Sequence, residues 1–186
     1  HALGEAFHRA SEALGLPRND DFNGPQQEGT GYVQTTTKNG RRWSTAAGYL
    51  KGAAKKNIDL KLNAMVERVI LEGRMAKGIA WTDPTGAYQA KARREVILCG
   101  GTFNSPQLLQ LSGLGPGAQL QAHGIDTRHA LRGVGQNLQD HFGIGSEYRS
   151  TVKSTVNDLY NNKLKGGVQL LRYLLFHTGP FADNGN

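Results

Sequence analysis

The segment from residue 95 to residue 113 constrains the fold of this chain more than any other. Glu95-Val-Ile-Leu-Cys99 is an unbroken apolar run behind a single charge. That pattern predicts a strand buried on both faces, as in a parallel sheet. Gly100–Gly101 follow, and then a helix start: Ser105 is suited to the N-cap, Pro106 to the first helical position and Gly113 to the stop. Strand, glycine turn and helix in this order form the building block of an α/β nucleotide domain. Ligands of open α/β sheets sit at the carboxyl ends of the strands. Glycine lets a ligand approach the backbone closely. A tight turn would explain the two glycines equally well, and the residues leave both readings open. Cys99, at the end of a buried strand, is expected to be an inert thiol.

The flanking pattern is mixed. Leu3, Phe7, Ala10 and Leu14 fall on one face of a helix over residues 1–15, stopped by Gly15 and Pro17. Residues 18–31 read as loop. A strand is expected over Tyr32–Thr37, followed by the tight-turn pair Asn39–Gly40 and a helix capped by Ser44 and running to about Lys56. Ile58, Leu60 and Leu62 alternate like a half-buried strand, and further strands are expected over Met65–Leu71, Lys77–Trp81 and Tyr88–Ala92. Short strands joined by tight turns predict an antiparallel meander. A short helix over Pro116–His123, a glycine-containing loop over Gly133–His141 and a last helix over residues 158–177 complete the pattern. The fold class is α/β in a broad sense, a mixture of a parallel strand–turn–helix unit and an antiparallel meander.

Composition excludes several classes. Of 186 residues, 38% are hydrophobic and 20% charged, enough for a packed core and too apolar for a wholly disordered chain. The 25 glycines have no fixed period, so a collagen-like repeat is excluded. The net charge is +7, but Arg41–Arg42, Lys55–Lys56 and Arg93–Arg94 are separate pairs with no block of five. An ordinary basic surface is expected, without nucleic acid as partner. Cys99 is the single cysteine, so neither an internal disulfide nor a zinc site can form around it. No metal-ligand spacing, serine nucleophile elbow or membrane-spanning run is present. Gly113-Leu-Gly115-Pro-Gly117 fails as a dinucleotide loop, because a helix precedes it and Pro116 has no N–H for phosphate. Asp140–His141 reads as an acid/base pair or as loop structure. A first residue of His rather than Met suggests a piece of a longer protein.

Four stretches together resemble the glucose-methanol-choline (GMC) family of flavin oxidoreductases, its choline and alcohol dehydrogenase branch in particular. They are Asp21-Phe-Asn-Gly-Pro25 leading into Gly31–Ser44, Ala64-Met-Val-Glu-Arg-Val-Ile-Leu71, the run from Glu95 to Gly115, and Gly133-Val-Gly-Gln-Asn-Leu-Gln-Asp-His141. The resemblance implies FAD as cofactor, with the backbone of Val66 at the adenine, the Cys99–Gly100 turn beside the dinucleotide and Ser105 on its nucleotide side; a helix cap remains the alternative for Ser105. It implies that residues 1–141 are the central part of an FAD-binding domain and 142–186 the beginning of a substrate-binding domain. The family's GxGxxG unit, its glycine/serine-rich flavin loop and its C-terminal catalytic histidine have no match here, so no catalytic residue is carried over. Asp183 is placed where it would approach a cationic alcohol, unless the terminus is frayed. The implied reaction is oxidation of choline or another primary alcohol by hydride transfer to flavin, although hydroxynitrile lyases share the family. The implied partners are a small-molecule alcohol and a companion chain or a second copy. A cytoplasmic location, with peripheral membrane association, is expected. The alternatives from other classes are an inactive truncated chain and a basic binding module.

Overall fold

The computed structural model describes residues 2–51, 56–151 and 155–182. The chain divides into two compact units, Asp59–Ile144 and His1–Ile58 with Gly145–Asn186.

The first unit is built on an antiparallel meander of β3 (Met65–Glu72), β4 (Met75–Asp83) and β5 (Gly86–Lys91), in that order across the sheet. The helices α1 (Ala2–Ala13) and α2 (Thr45–Tyr49) and the strands β1 (Thr37–Lys38) and β2 (Arg41–Arg42), earlier in the chain, belong to the other unit. Apolar and β-branched residues at alternate positions form the strands, and two-residue loops join them. At the second loop the Asp83 carboxylate accepts the Thr85 backbone N–H at 2.7 Å. Hydrogen bonds from the Thr85 hydroxyl and then its backbone hold the Asp83 carboxyl below its ordinary range. Helix α3 (Gly101–Leu111) packs on β3. Beyond it, Leu114–Gly115 (β6) pairs in parallel with His129–Ala130 (β7) around α4 (Gly117–Ala122). Leu120, 2% exposed, is the most deeply buried side chain described, and Val69 and Ala80 are the other buried apolar residues.

One polar link joins sheet to helix. The Ser112 hydroxyl accepts the Val69 N–H at 2.8 Å and donates to the Leu108 carbonyl at 2.6 Å. β3 is an edge strand, so without Ser112 the buried Val69 N–H would lack a partner.

In the second unit α1 (Ala2–Ala13) turns an unexpected face inward. The buried residues are His8 and Ser11, while Phe7 is 64% and Leu14 84% exposed. His8 Nδ1 lies 2.8 Å from the Thr30 hydroxyl, with the Tyr32 ring edge-on at 4.8 Å. Glu5 and Arg18 form an ion pair at 3.2 Å. Hairpin β1 (Thr37–Lys38) and β2 (Arg41–Arg42) turns through Asn39 and Gly40. Both turn residues have positive φ, 52° and 66°, which is why Asn-Gly suits the turn. Ser44 caps α2 (Thr45–Tyr49) by accepting the Ala47 N–H.

Several expectations change. Residues 32–36 and 58–64 carry no assigned strand, so the meander has three strands. α2 ends at Tyr49, and residues 52–55 lie outside those described. Residues 95–99 are extended but paired with no strand among the described residues, and Ile97 is 72% exposed. The expected last helix is two, α5 (Val156–Asn161) and α6 (Lys163–Phe176). Asn162 separates them: its side chain caps α6 through the Lys165 N–H, which holds its own backbone extended.

Two predictions follow from these contacts. Ser112→Ala strands the Val69 N–H and should lower unfolding stability by about 1–3 kcal/mol in urea titrations. The Arg18 hydrogen bond, foremost, holds the Glu5 carboxyl below its ordinary range. A depressed carboxyl contributes stability above its unfolded pKa, and that stability is lost as pH falls through its folded pKa. Glu5→Gln should therefore remove part of the loss of stability seen on acidification below the ordinary carboxylate range.

Candidate functional site

A cavity of about 410 Å³ opens between the meander and the extended chain that leads into α3. One wall is the sheet. Between Val66 and Arg68 the register slips by one residue: Val66 faces Trp81 and Arg68 faces Ala80, so Glu67 has no partner opposite it. This bulge locally interrupts the backbone ladder where Val66 lines the cavity. Farther along the wall the surface is kept low by Gly78, Ala90 and Ala92. A Cβ at Gly78 would run into the Ala90 carbonyl of the neighbouring strand. An isolated glycine inside a strand signals such close approach, and that signal in the sequence could have found Gly78.

The other wall is residues 95–100. Val96 and Leu98 are half-buried while Ile97 and Cys99 are exposed, a period-two alternation, and all four border the cavity. This corrects the expectation of a strand buried on both faces and of a buried thiol. Cys99 is exposed. The doubly buried pattern requires neighbouring strands on the same sheet, and none among the described residues supplies them.

The helix start is corrected too. α3 begins at Gly101, with Gly100 at its N-cap, so Ser105 and Pro106 lie inside the helix. Gly101 takes φ +81°, a left-handed conformation open to glycine at little cost, and this turn sets the earlier start. Pro106 lies in the interior of the helix, beyond its first turn, and leaves the Thr102 carbonyl without its intrahelical donor. The Ser105 hydroxyl reaches back to accept the Gly100 N–H at 2.9 Å. It is occupied in holding the turn.

The four residues singled out in sequence, Val66, Cys99, Gly100 and Ser105, therefore line one cavity. Asp183 lies outside the described residues. The lining that sequence reasoning missed is the small-residue floor and the charged pair Lys91 and Glu95. Apolar walls with a few polar groups at one end suit a flat heteroaromatic ring carrying a polar substituent. The interrupted ladder at Val66 suits the donor and acceptor edge of a purine. The residues present thus fit the adenosine half of a dinucleotide. No group of three or more His, Cys, Asp or Glu that could hold a metal ion occurs among the described residues. No described helix is long and apolar enough to cross a membrane.

Residues 1–143 match the family model described as GMC oxidoreductase, and the chain belongs to this family of oxidoreductases. It is 42% identical over 187 residues to an oxygen-dependent choline dehydrogenase of Brucella ovis, covering 99% of this chain and 33% of that protein. It is 48% identical over 149 residues to an oxygen-dependent choline dehydrogenase of Pectobacterium atrosepticum, covering 77% of this chain and 27% of that protein. The chain thus spans about a third of the length of the relatives it matches. Among solved structures, a formate oxidase superposes with a TM-score of 0.81 at 28% identity, over 96% of this chain and 31% of that one. An FAD-dependent oxidoreductase from Chaetomium thermophilum shares the fold, with a TM-score of 0.82 at 24% identity over 97% of this chain and 32% of that one. The mixed α/β architecture is that of these proteins.

The exposure of Cys99 is directly measurable. Its thiol should react fully with a disulfide reagent in the folded chain, without denaturant. Reaction only after unfolding would restore the buried strand expected from sequence.

Proposed function

We propose that the cavity between the meander and the residue 95–100 segment receives the adenosine half of FAD, in a GMC oxidoreductase that oxidises an alcohol. The observation that carries this reading is the convergence of Val66 with Cys99, Gly100 and Ser105, more than thirty residues apart in sequence, on one mostly apolar cavity. In this reading the Val66 backbone meets the purine edge. Gly100 gives the nucleotide a close backbone approach, and Ser105 holds Gly100 in place through its N–H. Cys99 borders the ring without chemistry of its own. Bound flavin would supply the acceptor for the hydride leaving the alcohol carbon. Residues 1–141 then act as the central part of the cofactor domain and 142–186 as the start of the substrate domain. Choline or a related primary alcohol is the proposed substrate, on the support of the choline dehydrogenases it resembles.

Free FAD stacks its adenine on the flavin, which quenches the flavin emission. Capture of the adenosine half should unstack it. Titrating the chain into FAD should raise the emission saturably, and ADP should reverse the rise. FMN, which lacks adenosine, should not respond. Cys99→Trp, placing a large side chain in the cavity from an exposed position, should weaken FAD at least about tenfold (about 1.4 kcal/mol) while leaving the urea unfolding transition unchanged. An equal response to FMN, or no response to FAD, would remove this reading.

A further inference from the structure

The positive charge of this chain is concentrated. Residues 29–58 contain six Lys and Arg and no Asp or Glu, so one segment accounts for six of the seven net charges. Because no run of like charges is long, the pairs look scattered, yet the fold gathers them. In hairpin β1–β2, Lys38 stands directly opposite Arg41. Opposed cross-strand positions have Cβ atoms about 4.5–5.5 Å apart, and like charges there are destabilising. The Trp43 N–H donates to the Thr36 carbonyl at 2.8 Å and extends the pairing by one step. Trp43 thereby follows Arg41 on the same face. The Lys38 ammonium lies 4.7 Å from the centre of the Trp43 ring, and the Lys51 ammonium, from the end of α2, lies 5.8 Å from it.

Cation–π attraction offsets part of this repulsion but supplies no negative charge. Among the described residues no carboxylate oxygen lies within ion-pair distance of Lys38, Arg41, Arg42 or Lys51; the ion pairs there involve Arg18 and Lys61. All four cations are exposed. Two of them, Lys38 and Lys51, lie over a single indole and Arg41 stands opposite Lys38, so a ligand that neutralises the three must carry several negative charges close together. We propose that the face formed by Lys38, Arg41, Trp43 and Lys51 is a binding surface for a soluble condensed phosphate, a linear chain of phosphates. A condensed phosphate carries its charges on adjacent groups. An acidic peptide spreads them along an extended backbone at about 3.3 Å per residue with alternate side chains turned away. These residues are separate from those lining the cavity, and the inference does not depend on the FAD reading.

The test is calorimetric titration of the whole chain with sodium tripolyphosphate, with tryptophan emission followed in parallel. Saturable one-site binding that weakens steeply with salt is expected, together with a change in Trp43 emission. The doubly neutralised Lys38→Gln, Arg41→Gln chain should bind at least about tenfold more weakly with a shallower salt slope. Arg93→Gln with Arg94→Gln, which removes the same charge from residues outside the proposed set, should change affinity by less than about twofold, because charges that make no contact with the ligand act only through salt-screened long-range attraction. Equal weakening by both pairs would show a general charge effect and overturn the site. So would binding to phosphatidylserine vesicles with none to tripolyphosphate, which would make the face a lipid surface instead.

Discussion

The hydrogen bond from the Val69 N–H to the Ser112 hydroxyl holds the candidate site together. Among the described residues β3 has no partner strand on its outer edge, and α3 carries no carboxylate to anchor it there. Ser112 closes both gaps with one hydroxyl: it accepts from the strand and donates to the Leu108 carbonyl of its own helix. A buried N–H left without a partner is costly, so the bond favours one placement of helix against sheet. That placement sets the distance between Val66 on the sheet wall and Gly100 at the helix start, which is the opening a nucleotide would fill.

The buried apolar core contributes less than the composition suggests. Its described members are Val69, Ala80 and Leu120, while Phe7, Ile97, Leu171 and Leu175 are each more than half exposed. The hydrophobic effect scales with area removed from water, so these side chains contribute little to holding this chain together. Hydrogen-bonded links such as Ser112–Val69 and His8–Thr30 therefore carry an unusual share of the specificity of packing.

Local chemistry was legible in the sequence, and so were four of the residues that line the cavity. Asn39–Gly40, Gly73 and the Asp83–Gly86 loop specify their turns with backbone conformations and hydrogen bonds internal to a few residues, and the three meander strands lie between such signals. The convergence of Val66 with Gly100 was reached from resemblance and from the glycine turn, two short-range features. What was not legible depended on partners remote in sequence. The run over residues 95–99 has the apolar pattern of a doubly buried strand, but alternation in the folded chain comes from having one neighbour surface. The apolar stripe on α1 was clear, yet the helix seats itself by His8, whose partner Thr30 is twenty-two residues away. Ser105 and Asn162 show the same limit at single residues. Each has a side chain suited to capping, and only the backbone turn at Gly101 or the break at 162 decides which helix end it serves.

The most direct measurement is the amide spectrum of the isotopically labelled chain, assigned and followed as ADP is added. The account predicts shifts concentrated at Val66, Gly78, Cys99 and Gly100, with Ser112 and the β6–β7 pair unmoved. Shifts centred elsewhere, with those four amides unchanged at saturation, would contradict it and place the nucleotide outside this cavity.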